Sequence, residues 1–506
     1  MAKQNFSKRV TGFIASPKFF WGVLAFFVLE ALWIALSGRY PMAFDENYHL
    51  GIIQLYSNHM SPFWSAQPAD ADTFGAVFRD PSYLYQWLMS FPYRLLHIFT
   101  DNQTTLVLWL RAINIALFAG GLVLYRRLLL KAGVSKAIVH SVLLLFVLIP
   151  VVPLLAAQIN YDNLFIPLVG LLLLSVIRFN TELTQKKRSN LYVLTGIIVL
   201  CLLGSLIKYA FLPIALAVVL YLVICHWLAL GSFRTIWAVK RDAFMRTGLK
   251  ASLALAAVII IAGGLFTERY GVNMARYHTP VPDCSQALSI EACSHYGPWI
   301  RDYNLELNKN PDAPTSPFIF AADWFYGMWL RLFFSVDGPS TAYQTKGPLV
   351  IPAISAIIFT GAGALLCTVY SRRILRTYGT AVLSLLLLVT VLYTGALWLD
   401  GYEAFLRTGL PVAINGRYLL PVLPFLMLAG ALGFNELCKR RENLKLVIGV
   451  TAVLTMLWGG GTLTYILRST SSWYWHNPAV RAANRTVQDT LGPVTPGYRD
   501  PTAFMR

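Results

Sequence analysis

Two adjacent carboxylates, Asp45 and Glu46, stand in the run Phe44-Asp45-Glu46-Asn47-Tyr48-His49, a few residues past the first long apolar stretch of the chain. Such a pair can divide labour: one carboxylate takes a proton as general base, the other binds or orients the reacting partner. The same two residues also suit a helix start. Asp45 would then cap a helix running through Gln54, with Glu46 favourably placed in its first turn. Spacing alone leaves both readings open. His49 and His59 lack the companions a metal site requires, and no ligand spacing elsewhere demands an ion, although an acidic loop leaves divalent-cation dependence open.

The elements that must position this pair are membrane-spanning helices. Apolar residues make up 56% of the 506-residue chain and charged residues 13%, with a mean hydropathy of +0.56. Soluble domains carry roughly 25% charged residues. Apolar runs long enough to cross hydrocarbon recur throughout, and in lipid they must be helical to pair their own backbone groups. The expectation is an all-α polytopic bundle of about eleven spans forming one membrane domain over 1–506. The spans fall near 19–36, 105–125, 137–152, 164–177, 191–207, 211–226, 249–266, 349–370, 381–399, 418–434 and 446–466. The apolar stretch from 191 to 230 is divided at Lys208, because a charge at mid-bilayer is costly. Residues 317–336 are read as interfacial, since Asp323 and Arg331 interrupt them. The first apolar run is too long, and lacks the small-residue cleavage site, for a cleaved leader.

The net charge of +18 reports topology rather than a nucleic-acid partner. Basic residues gather at the N-terminus and in alternate loops around 126–136, 178–188, 234–250, 372–376 and 439–445, while the other set is nearly neutral. That asymmetry places the N-terminus in the cytoplasm and the C-terminal tail outside, in a multi-pass protein of the plasma (inner) membrane. The large connections, 37–104 and 267–348, then lie outside with a shorter loop at 400–417 and a tail from 468. They are rich in aromatic residues and proline, a composition that favours a folded cap, with 83–97 lying along the membrane surface. Cys284 and Cys293 share the second of these loops and suit a disulfide in an oxidising compartment; CxxC spacing is absent. The other four cysteines fall in spans or at their cytoplasmic ends. Glu30 and Arg111 lie inside the first two spans at outer depths and are expected to pair with each other as a structural ion pair. Asp162 and Asn163 cap the fourth helix or line the cavity, with capping the plainer reading. Asp400 and Glu403 read as solvated loop residues flanking the Arg417 segment, and the stretch from Trp324 to Trp329 as an aromatic belt, with sugar stacking as its alternative.

An acidic pair just after the first span, followed by a long aromatic loop, resembles the GT-C glycosyltransferases that use lipid-linked sugars. The resemblance implies that Asp45, the first acid of the pair, is the catalytic base or acceptor ligand. The segment Arg79-Asp80-Pro81-Ser82-Tyr83-Leu84-Tyr85 is similar to a His-Pro-Pro-Leu-Tyr-like segment of related enzymes, with Asp80 in place of His and Ser82 in place of the second Pro. Gln158-Ile159-Asn160-Tyr161-Asp162-Asn163, at the outer start of a span, fits a bacterial branch. So does Asn415-Gly416-Arg417-Tyr418-Leu419-Leu420-Pro421, which matches a Gly-Arg-Tyr-x-x-Pro entry into a late helix.

The reaction so implied moves a hexose or pentose from a polyprenyl-phosphate donor to an envelope glycan, lipid or protein. Glu46 or Asp80 would bind the acceptor. Arg417 can grip phosphate bidentately, with Tyr418 beside it and Lys208 as a second cation. Snorkelling anchors are the plain alternative for both cations. Single displacement would invert the anomeric centre, with no cofactor. A lipid-glycan transporter or flippase is the rival from another class, although the internal symmetry common in transporters is not evident. An O-antigen ligase or polymerase with a diphosphate-linked donor shares the architecture.

Overall fold

The computed structural model describes residues 2–42, 45–312, 315–333, 350–412, 414–459 and 478–494. Phe44, residues 334–348 of the second large loop, residues 460–466 of the eleventh expected span and most of the tail lie outside them. The described residues are mostly helical, with one long irregular connection, 58–83, and contain no β-strand. In chain order the helices are α1 (Ala2–Ala15), α2 (Pro17–Ser37), α3 (Glu46–Ser57), α4 (Leu84–His97), α5 (Gln103–Lys131), α6 (Lys136–Val147), α7 (Val151–Ala156) and α8 (Asp162–Lys186). Then come α9 (Leu191–Ile207), α10 (Leu212–Leu230), α11 (Phe233–Thr247), α12 (Leu249–Phe266) and α13 (Val272–Tyr277). Short helices α14 (Cys284–Ala287) and α15 (Ile290–Ser294) precede α16 (Gly297–Leu307) and α17 (Pro317–Phe333). The remainder are α18 (Val350–Thr377), α19 (Thr380–Thr408), α20 (Leu423–Leu437), α21 (Glu442–Gly459) and α22 (Pro478–Leu491).

Among the described residues seven helices are long and apolar enough to cross a membrane, and three shorter ones, α6, α9 and α20, are apolar. The chain is an all-α polytopic membrane protein. Exposed Leu, Ile, Val and Phe side chains cover the outside of these helices, while α5 and α8 pack closely at the centre. That pattern suits a bundle solvated by lipid rather than water.

Three boundaries differ from expectation for local reasons. The third expected span divides into α6 and α7 around Leu148–Pro150, as proline disfavours helix in the residue before it. The tenth begins as a 3₁₀ turn, Gly416–Leu419, and becomes α-helical only at Leu423, with Pro424 at its first turn. Asp400 and Glu403 are exposed, yet they sit on the last turns of α19 rather than in a loop. The break expected at Lys208 is present: its backbone is extended, between α9 and a 3₁₀ turn at Tyr209–Phe211.

Candidate functional site

The acidic pair splits at the start of α3. Asp45 is the residue before the helix, but its side chain makes no capping hydrogen bond and its backbone is left-handed, φ 67° and ψ 27°. Aspartate tolerates that region better than most residues. The N-cap reading is therefore corrected: the carboxylate turns away from the helix and accepts a hydrogen bond from Arg417 Nη2 at 2.7 Å. Burial tends to raise the Asp45 pKa, but the guanidinium outweighs it and holds the carboxyl below its usual range.

Glu46 goes the other way. Its side chain is fully buried, and both oxygens are occupied. Oε1 accepts from Arg111 Nε at 2.8 Å and from the Ile159 amide at 3.2 Å; Oε2 accepts from Arg111 Nη2 at 2.7 Å and the Met42 amide at 2.8 Å. Arg111 Nη1 adds the carbonyls of Ala35 and Gly38, at 2.8 and 2.6 Å. Each Glu46 oxygen thus accepts two hydrogen bonds from the protein itself. Arg111 does form a structural ion pair, and its bidentate partner is Glu46.

The Gln158–Asn163 segment is drawn into the same framework. Asn114 Oδ1 on α5 accepts from Tyr85 Oη at 2.8 Å and Asn163 Nδ2 at 3.0 Å, and Asn163 also donates to the carbonyls of Leu155 and Gln158. These bonds between the Asn114 and Asn163 amides and the backbone fix the entry of α8. Asp162, its first residue, does not cap: Oδ1 accepts from Lys208 Nζ at 2.6 Å, while buried Oδ2 has no hydrogen-bond partner among the described residues. Lys208 is 4% exposed, and its ammonium lies over the rings of Tyr161 (4.6 Å), Tyr418 (5.0 Å) and Phe165 (5.8 Å). A lysine so enclosed is not a snorkelling anchor.

Arg417 is carried by the 3₁₀ turn. Asn415 Oδ1 accepts from the Arg417 amide at 3.1 Å, and Tyr393 Oη and Tyr125 Oη donate to the carbonyls of Tyr418 and Pro421. Gly416 allows the turn to lie against α17: a Cβ there would come within 2.5 Å of the Leu332 amide nitrogen. The guanidinium is 5.1 Å from the Tyr418 ring centroid. Asp45, Arg417, Lys208, Tyr418 and Asp162 thus form one cluster.

Asp80 stands beside it. Its Oδ2 accepts from Tyr48 Oη at 2.8 Å and Oδ1 from the Ser82 amide. Burial and the Asp80 charge together push the Tyr48 phenol up. The Asp80 loop is clamped from the C-terminal end of α12, where a π-helical turn, Thr267–Gly271, presents Glu268 to Arg79 at 2.9 Å and Arg269 to the carbonyls of Phe78 and Pro62. Cys284 and Cys293 are disulfide-bonded, and the short segment after them sets Tyr296 against Tyr48 with ring centroids 6.3 Å apart. His49, one turn along α3 from Asp45, is buried edge-on to Tyr161 at 4.5 Å, and burial pushes its pKa down to about 3. Among the described residues no group of three His, Cys, Asp or Glu is arranged to hold a metal.

Sequence reasoning brought Asp45, Arg417, Lys208 and Tyr418 forward and undervalued Asp162 and His49. Asp162 was marked by its place beside a tyrosine at a span entry. Arg269 carried no signal in the sequence.

Fold and cluster define a class: a polytopic helical membrane protein with paired acids and bases gathered at one end of the bundle. No family model and no curated protein matches the chain. Among solved structures it is similar to the Archaeoglobus fulgidus oligosaccharyltransferase, there tethered through a disulfide to an acceptor peptide containing the NVT sequon. Identity is 12%, the TM-score 0.42, and the match covers 94% of this chain and 59% of that one, so the chain spans about three fifths of that protein's length. A likeness this loose decides neither activity nor substrate.

Proposed function

We propose that the chain is a membrane glycosyltransferase of the GT-C kind that takes a sugar from a polyprenyl-phosphate donor at the extracytoplasmic face of the plasma membrane. The acceptor is an envelope glycan, lipid or protein. Segments 37–104 and 267–348 and the tail from 468 face outward in this reading, and the N-terminus faces the cytoplasm. What supports it above all is the 2.7 Å contact between Asp45 and Arg417, residues 372 positions apart in sequence. A carboxylate able to accept a proton is thereby set beside a cation able to hold a departing phosphate, with Lys208 near both.

The resting pair suggests an order of events. While Arg417 is hydrogen-bonded to Asp45, the carboxylate is held at low basicity. A donor phosphate that draws the guanidinium to itself frees Asp45 to take the proton of the acceptor hydroxyl. The acceptor oxygen attacks the anomeric carbon, its proton passes to Asp45, and the bond to the phosphate oxygen breaks with inversion. Arg417, and Lys208 if it exchanges Asp162 for phosphate, stabilise the leaving charge. Asp80 and Tyr48 hold the acceptor. Glu46 and Arg111 position Asp45 without touching substrate.

The test is purified protein supplied with a short-chain polyprenyl-phosphate sugar and an envelope extract as acceptor. Free polyprenyl phosphate should appear with wild type and fall by roughly 10²–10⁴-fold in Asp45→Asn, at equal protein yield, as expected for loss of a general base. Near-normal turnover by that variant would falsify the role of Asp45. Movement of the lipid without bond cleavage would favour the flippase.

A further inference from the structure

Helix α11 plays no part in the chemistry above, yet its surface is built for a partner. It joins α10 to α12 through Gly231 and Gly248, both at positive φ, so it is set off from both spans by glycine turns. Its bundle side carries half-buried Ile236 and Val239 and buried Ala243, packed against α9, α10 and α12. A second apolar face has no cover among the described residues. Phe233, Trp237 and Phe244 fall within about 40° of one another around a helix of 3.6 residues per turn. Phe233 is 78% exposed, Trp237 74% and Phe244 45%.

Cations border that stripe. Arg234 and Arg241 are exposed on its flank, and the turn ending α8 brings exposed Lys186 and Arg188 alongside. The two segments are tied together by Lys240 Nζ to Ser189 Oγ at 3.3 Å and Lys187 Nζ to the Ala229 carbonyl at 2.5 Å. Nearby acids are already taken: Asp242 pairs with Arg246 at 2.7 Å, and Glu182 accepts from Arg178 and Asn190. The excess positive charge therefore faces outward, next to three aromatic side chains that water solvates poorly.

We propose that α11 and the α8–α9 turn form a binding site for anionic phospholipid headgroups in the leaflet bordering this basic end of the bundle. Phe233, Trp237 and Phe244 enter the acyl boundary, while Arg234, Arg241, Lys186 and Arg188 take headgroup phosphates. A soluble acidic protein or a free polyanion would satisfy the cations but leave the aromatic stripe in water. A lipid surface satisfies both, and it is already adjacent, because α10 and α12 are membrane-spanning in length and hydropathy.

The test uses the purified full chain in nanodiscs and in detergent with added lipid. Native mass spectrometry should show wild type retaining phosphatidylglycerol over phosphatidylcholine. The combined variant Lys186→Gln, Arg188→Gln, Arg234→Gln and Arg241→Gln should lose that preference, by roughly fivefold in affinity per charge removed. All four side chains are exposed, so the bundle should tolerate the change. Independently, brominated lipid should quench wild-type tryptophan emission more than that of Trp237→Phe, which keeps every charge. Undiminished phosphatidylglycerol preference in the charge variant would overturn the proposal. So would Trp237 emission insensitive to brominated lipid, or displacement of phosphatidylglycerol by inorganic tripolyphosphate at equal phosphate concentration.

Discussion

Asp45 and Glu46 are neighbours in sequence, and each meets an arginine at 2.7 Å, yet their circumstances are opposite. The Glu46–Arg111 pair has no exposure on either side chain, is held through two guanidinium nitrogens, and spends its remaining lone pairs on backbone amides. Asp45 is 57% exposed, meets Arg417 through one nitrogen, and stands on a left-handed backbone that serves no capping purpose. The first arrangement is what a structural ion pair needs in order to survive desolvation. The second leaves room for a third party. Burial and completeness of hydrogen bonding, rather than the presence of charge, separate the residue that builds the site from the one available to act in it.

The largest expected effect would break that contrast from the structural side. Arg111→Met leaves Glu46 as an uncompensated buried charge and should destabilise by about 3–5 kcal/mol. Thermal unfolding in detergent measures it directly. Adding Glu46→Leu should recover much of the loss, because removing both charges abolishes the desolvation cost. If the single variant unfolds as wild type does, the pair is not the keystone described here. A smaller effect reaches Asp45 through its partner. Gly416→Ala drives a Cβ into the α17 backbone and should cost about 1–3 kcal/mol. It also shifts Arg417, so turnover should fall further than stability alone explains.

What could be read in advance follows from the range of each interaction. Apolar runs are local, so α9 was legible to both ends, and Lys208 marked its break because charge in an apolar run is rare. Proline chemistry displaced α20, and residues 400–408 continued α19 although their polarity resembled a loop. The meeting of Asp45 with Arg417 has no local trace, since spacing carries no information across 372 residues. For the same reason adjacency suggested that the two acids share a site but not that Glu46 faces Arg111. Arg269, which holds the Asp80 loop through carbonyl oxygens, leaves no pattern in side-chain type at all.

His49 sharpens the comparison by pH. Its folded pKa is pushed down to about 3 by burial, against an unfolded value near 6.5. The unfolded chain therefore binds the extra proton first, so stability should fall as pH drops from about 6.5 towards 3, by at most about 1.4 kcal/mol per pH unit. His49→Gln should flatten the slope measured by thermal unfolding across that window. An unchanged slope would place the titrating group elsewhere.

The smallest expected effect is the stability change on replacing Asp45 itself. Its carboxyl is held below the usual range, so its contribution is present above the unfolded pKa near 3.9 and disappears as pH falls through the lower folded value. Exposure and a single hydrogen bond keep that contribution small, within the range of other surface ion pairs. Asp45→Asn should therefore unfold within a degree or two of wild type at neutral pH, and the two curves should merge in strong acid. Pairing that near-silent stability with the loss of sugar transfer is the sharpest form of the contrast, because Glu46 variants should show the reverse: unfolding first, with lost activity as its consequence. A destabilisation by Asp45→Asn as large as that from Arg111→Met would erase the distinction between the two pairs.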